Sequence, residues 1–234
     1  MRGGGGTKAA NYVYNISPKD GSVISMPISS IVENQLLRPK GVRFDGAKFN
    51  WLGSITSLGS VLSVWHTAPV KSLDHAKKTE IIIGATNPNS SWYRMVKLMN
   101  PVVGTKFKIV TGYKGSSKSI FAIEQGEVQM AAFNWLAWAS KVPHWFKGDK
   151  PFARALLQVG HFKDPALPNV PMLDDLVDAK YKNAVRFLGG LGVLGRGLAL
   201  PPGVPKALVP GLRASYKEMN KDPKFAAELK KRRL

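Results

Sequence analysis

The chain has 234 residues, 44% of them hydrophobic, enough to bury a core as one large domain or two small ones. Lysine and arginine number 34 against 15 acidic residues, a formal net charge of +19 that attracts anions: small carboxylates, nucleic acid or acidic lipid. The absence of cysteine excludes disulfides and thiolate zinc sites, and no apolar run approaches the roughly 20 residues of a membrane helix.

Met1-Arg2 runs into Gly3–Gly6 and not into the apolar stretch of an export signal, which by itself predicts a cytosolic protein. Residues 8–14 read as a short helix, with Ala9, Tyr12 and Val13 at helical spacing. Ser17–Gly21 is a turn cluster. The β-favouring Val23 and Ile24 predict a strand over Ser22–Met26. Residues 44–51 are mixed in character. The Ser- and Gly-rich stretch after them ends in a strand near Val61–Trp65, and a helix is expected around Val70–Lys78.

From here loop, helix and strand repeat in order. Ile81-Ile82-Ile83 suits a strand buried on both faces. The loop Thr86–Ser91 feeds a helix with Trp92, Met95, Val96 and Met99 at i, i+3, i+4 and i+7. A strand over Lys106–Thr111 leads to the loop Gly112–Ser116 and a helix stopped by Gly126. Val128, Met130 and Ala132 alternate as a third strand. The order predicts an α/β parallel sheet. Later, Leu173, Leu176 and Val177 share a helix face, Arg196–Leu200 reads as extended, and Asp222-Pro223 opens a last helix. Lys230, Lys231, Arg232 and Arg233 end that helix, where its dipole favours cations.

Several chemistries find little support. Gly190-Leu191-Gly192-Val193-Leu194-Gly195 has the G-x-G-x-x-G spacing, but Pro201-Pro202 forbids the helix that a dinucleotide site needs, so a glycine-rich connection is expected. The four histidines, His66, His75, His144 and His161, lack metal-site spacing, and no G-x-S-x-G elbow is present. No cofactor is expected. Asp174 and Asp175 fit the first turn of a helix. The basic excess and six tryptophans leave a nucleic-acid-binding protein as one alternative and an enzyme on the same fold as another. Trp92, Trp135, Trp138 and Trp145 lie in apolar segments, which favours core or cleft walls over a nucleic-acid surface.

The strand-to-helix loops are more informative. In an open α/β sheet, ligands bind beyond the carboxyl ends of the strands, where helix N-termini offer unpaired N–H groups. Asn89, Ser90, Ser91, Ser116 and Ser117 add polar groups at two such ends, and Lys114 adds a full charge. Together they would cradle a carboxylate, although each serine alone also reads as an ordinary helix N-cap.

The chain resembles the receptors of tripartite tricarboxylate transporters, the Bug-type solute-binding proteins. Gly3–Gly6 before a helix resembles the family's Gly-Ala-Gly-Gly segment. Pro18-Lys19-Asp20-Gly21 resembles its Pro-x-Asp-Gly turn, and Phe49-Asn50-Trp51-Leu52-Gly53 its Phe-x-x-Ile-Gly stretch. Val70-Lys71-Ser72-Leu73 resembles the opening of its second lobe. Gly112-Tyr113-Lys114-Gly115 resembles its Pro-Tyr-Lys-Gly loop, continued by Gly126-Glu127-Val128. Leu167–Pro171, Pro201–Pro205 and Asp222-Pro223 follow in family order.

The resemblance implies a type II periplasmic-binding fold: two α/β lobes closing on a small carboxylate, with the loaded receptor docking on a membrane permease. It implies a monomer when full length and a periplasmic location for the full-length parent. The lobes would be residues 1–66 plus 197–234, and 67–196, hinged near Val64–Thr67 and Leu194–Leu198. The family loops map onto Pro27-Ile28-Ser29-Ser30, with Ser29 and Ser30 as contacts. In the second lobe they map onto Ala85, Thr86, Asn89, Ser90 and Ser91, and onto Tyr113, Lys114 and Gly115. Two residues depart from the pattern: Gly112 replaces a proline, and Gln129 stands where the family often has Asp. The family's export signal, first strand and first helix have no counterpart before Gly3. The first lobe is therefore expected to be incomplete, with exposed edges, weak ligand binding and a tendency to aggregate.

Overall fold

A computed structural model describes all residues except Arg2, Leu58 and 232–234. The positions of Arg232 and Arg233 in the terminal basic run lie outside the described residues. The chain divides into two compact units, Met1–Ser57 with Val193–Leu234, and Leu58–Gly192.

The first unit opens with a glycine turn that enters helix α1 (Thr7–Asn15). Gly4, Gly5 and Gly6 all have positive φ, which only glycine adopts at little cost. Helix α2 (Ser30–Leu37) follows, and strand β1 (Asn50–Ser54) pairs antiparallel with β7 (Gly197–Leu200). Helices α9 (Leu208–Lys221) and α10 (Pro223–Lys231) close the chain. Ala10, Ile31, Phe44, Phe49 and Ala199 form one small core, and Leu200, Val204 and Val209 another.

The strand expected over Ser22–Met26 reduces to one bridge, in which Ser25 exchanges two backbone hydrogen bonds with Ala199 at 2.8 and 2.9 Å. The segment is extended and alternates in exposure, but its apolar Ile24, Met26 and Ile28 face outward. β-propensity reports a fit to a half-buried pleated surface, and here only Ser25 has a neighbour to pair with.

In the second unit a five-stranded sheet has the order β4-β3-β5-β2-β6. Its strands are β2 (Ser60–Trp65), β3 (Ile81–Ala85), β4 (Phe107–Thr111), β5 (Met130–Asn134) and β6 (Ala153–Val159). Strand β3 is parallel to β4 and β5, while β2 is antiparallel to β5 and β6. The sheet is therefore mixed, not parallel as expected. Alternation of side chains reports a strand but not its direction.

Helices α3 (Leu73–Lys78), α4 (Ser91–Val103), α5 (Ser116–Glu124) and α6 (Trp135–Lys141) connect these strands, and α7 (Leu173–Leu176) and α8 (Ala179–Gly190) follow β6. One face of the sheet packs Leu62, Ile83 and Leu157 against Met95, Val96 and Met99 of α4 and Val185 of α8. The other packs Val61, Ala131 and Phe133 against Ile120 and Ile123 of α5 and Trp138 of α6. Trp138 and Trp145 are fully buried, as the apolar context of both predicts.

Because β2 lies between β5 and β6, its residues Ser60–Trp65 belong to the second unit. The chain crosses between units at Ser57–Leu58 and Gly192–Val193, not near Val64–Thr67. The G-x-G-x-x-G run ends α8, makes one 3-10 turn and enters β7. That is helix to strand, the reverse of a dinucleotide-binding turn. Asp174 forms a two-pronged ion pair with Arg186 (2.9–3.1 Å) that ties α7 to α8, a more specific role than the dipole contact expected of it. No helix among the described residues is long and apolar enough to cross a membrane.

Candidate functional site

In the second unit the parallel strands β3, β4 and β5 end at one pole of the sheet. Three strand-to-helix junctions meet there, and each presents the first turn of a helix, whose N–H groups have no partner within the helix.

The first junction is Ala85–Ser91. Ala85 is buried as the last residue of β3. Asn87 shapes the loop: its Oδ1 accepts from the Asn89 N–H (2.8 Å), and its carbonyl accepts from the Ser90 N–H (3.1 Å) and hydroxyl (2.8 Å). The Ser90 Oγ in turn accepts from the Tyr93 N–H (3.3 Å), so Ser90 is the N-cap of α4. Its hydroxyl is thereby committed to the fold. Ser91, the first residue of α4, is half-buried.

The second junction is Gly112–Ser116. Its Gly112 N–H donates to the Thr86 carbonyl (3.2 Å), which joins the two loops directly. Gly112 has φ +117°, a conformation closed to proline, whose ring also removes the donor. The departure from the family's proline therefore has a structural consequence here. Gly115, at φ +92°, turns the chain into α5, and its N–H donates to the Tyr113 carbonyl (2.9 Å). Lys114 is exposed.

The Tyr113 side chain leaves this pole. Its ring packs beside Gly84 and Val128, where a Cβ on Gly84 would approach the ring to 3.3 Å, and its hydroxyl donates to Glu127 Oε2 (3.4 Å). Burial, then the nearby Glu127 charge, pushes the phenol above its ordinary pKa. Only the backbone of Tyr113 is left for the loop.

The third junction escaped the sequence reading. Asn134 ends β5, and its Oδ1 caps α6 by accepting from the Ala137 N–H (2.8 Å). The signal was an Asn immediately before an apolar run. Two cations were missed as well. Lys141 Nζ donates to the Ser117 hydroxyl (2.8 Å) at the start of α5, and Arg94 Nη2 donates to the Asn89 carbonyl (3.1 Å).

Gln129 lies away from this pole. Its Oε1 accepts from the Ile82 N–H (3.0 Å) and its own N–H donates to the Ile82 carbonyl (2.9 Å), so the amide extends the β3–β5 ladder at the amino ends of the strands. The exchange of Asp for Gln at this position thus falls on sheet pairing.

In the first unit Ser29 and Ser30 start α2. Ser30 is buried, and its hydroxyl donates to the Gly5 carbonyl (2.9 Å). Asn34 Nδ2 donates to the Gly5 carbonyl (3.1 Å) and to Thr7 Oγ1 (3.1 Å). The glycine turn before α1 is thus clamped against the first turn of α2, and two helix N-termini lie side by side. Ser29 makes no side-chain cap bond. Among the described residues no group of three His, Asp or Glu side chains converges as a metal site would.

No protein-family profile and no curated protein matches the chain. Solved structures do. The periplasmic binding protein BugD superposes with a TM-score of 0.73 at 17% identity, over 99% of this chain and 74% of its own length. A protein of R. palustris solved with adipate gives 0.73 at 20% identity, over 98% and 74%. MatC from Rhodopseudomonas palustris, with bound malate, gives 0.71 at 19% identity, over 98% and 75%. The chain has the periplasmic-binding-protein fold. On this fold the three junctions above stand at the carboxyl ends of the strands, where open α/β sheets take their ligands.

Proposed function

We propose that the chain is a non-catalytic receptor for a small organic carboxylate, of the type that serves tripartite tricarboxylate transporters outside the cytoplasm. The observation that carries this reading is the joining of two loop-to-helix junctions at one sheet pole by the Gly112 N–H to Thr86 carbonyl bond. Backbone donors of Thr86, Ser91, Tyr113 and Lys114 would hold the carboxylate in the second unit, since the N–H groups of Asn89, Ser90 and Gly115 are bonded within the loops. Lys114 would add long-range attraction. The first-turn N–H groups at Ser29 and Ser30 would offer anion-binding donors within the first unit. Two similar structures carry adipate and malate, both dicarboxylates, which supports that ligand class. Delivery to membrane permease subunits, export and a monomeric full-length state follow from the family resemblance.

A melting screen tests the proposal. A ligand present at 100 times its Kd stabilises by about 2.7 kcal/mol, which for a chain of this size raises Tm by roughly 5–10 °C. Malate, adipate or a related di- or tricarboxylate at millimolar concentration is expected to give such a shift, and glucose or sodium chloride none. A flat response to the whole acid panel would contradict the proposal.

A further inference from the structure

The outer edge of the second unit's sheet carries a feature unrelated to the ligand loops. Beside β6 lies an open depression of about 370 Å³, lined by Lys71, Asp74 and Lys77, by Arg154 and Leu156 of β6, and by Leu176 of α7. Strand β6 is an edge strand. Its outer side is bonded at Gln158, whose N–H meets the Pro171 carbonyl (2.8 Å), and among the described residues no strand pairs along Ala153–Leu157 on that side. β3 lies three strand spacings away, or about 14 Å across the sheet.

The charge there is unbalanced. Lys77 is neutralised by Asp74 at 2.8 Å, and that carboxyl is held below its ordinary pKa by the same lysine. Lys71 and Arg154 have no carboxylate within salt-bridge reach among the described residues, and Arg154 Nη1 donates only to the Lys71 carbonyl (3.4 Å). Between these cations the apolar surface comes from Leu176, which is 44% exposed, while Leu156 is buried in the floor of the depression.

We infer that this edge groove receives an extended acidic peptide segment of a partner protein, with carboxylates on Lys71 and Arg154 and an apolar side chain against Leu176. An extended chain suits an unpaired sheet edge, where backbone hydrogen bonds supply affinity and alternate side chains supply choice. The open shape argues against a small metabolite, whose sites enclose most of the ligand. Two free cations beside leucines argue against nucleic acid, whose backbone calls for many phosphate contacts. The inference does not rest on the carboxylate-receptor reading, and a partner seated at β6 leaves the ligand loops free.

The test is fluorescence anisotropy of the full chain with a labelled hexapeptide alternating glutamate and leucine. Lys71→Glu with Arg154→Glu is expected to weaken binding at least tenfold, and Leu176→Asp at least fivefold. Lys217→Glu, an exposed charge reversal in the first unit, is expected to change binding less than twofold. Unchanged melting temperatures confirm that the surface variants fold. The inference is overturned if the double reversal keeps the affinity within twofold, if Lys217→Glu costs as much, or if oligo-aspartate or a short DNA duplex competes as well as the peptide.

Discussion

Replacing Gly195 with alanine lowers the stability of the first unit by about 3 kcal/mol, from left-handed backbone strain together with overpacking. Gly195 sits at φ +47°, and a Cβ there would lie 1.6 Å from the Thr56 carbonyl oxygen and 2.9 Å from Ser54 Oγ. Neither neighbour is free to move. The Thr56 carbonyl accepts from the Arg196 N–H (3.1 Å), and the Arg196 carbonyl accepts from the Ile55 N–H (3.1 Å). The Ser54 hydroxyl bonds Thr56 and Leu194 (3.1 and 3.0 Å). These bonds tie together the segments next to the two chain crossings between the units. A urea titration measures the loss, and hydrogen exchange across residues 50–56 and 193–200 locates it. A variant within 0.5 kcal/mol of the parent would show that the crossing segments separate without cost.

Trp138→Ala in the second unit has an effect of similar size, about 3–5 kcal/mol. Trp138 is fully buried, its ring lies 4.9 Å from Phe133 and 5.8 Å from Phe146, and its Nε1 donates to the Val61 carbonyl at 3.1 Å. Alanine leaves a cavity on that face of the sheet and removes the indole donor from a buried carbonyl. Chemical denaturation is expected to show a lower midpoint with little change of slope. Trp138→Phe keeps most of the packing but not the donor, and is expected to lose about 1–2 kcal/mol. If both variants unfold at the parent midpoint, Trp138 is not holding α6 to the sheet.

The sequence made the second unit's strands and helices largely legible, because Ile81–Ile83 and the Trp92–Met99 stripe follow unmistakable periods. Strand direction was not legible, since β2 and β5 have the same alternation whichever way they run. β6 was missed altogether. Ser22–Met26 has the composition of a strand, but pairing depends on a neighbour that no local pattern encodes. At the candidate site, Asn89, Ser90 and Gly115 could be placed at helix starts from turn chemistry alone. The direction of the Tyr113 ring could not, because it is set by the space over Gly84 and by Glu127, 14 residues along the chain. The same holds for Gln129, whose side chain stands in for a ladder partner.

The receptor reading predicts which atoms meet the ligand, so it is tested best by amide chemical shifts. In a ¹⁵N–¹H titration with malate or adipate, the N–H signals of Thr86, Ser91, Tyr113 and Lys114 are expected to move together and saturate at one concentration. Saturable binding that leaves both loops unmoved, or shifts spread over the exposed lysines without saturation, would contradict a carboxylate site built from backbone donors at these junctions.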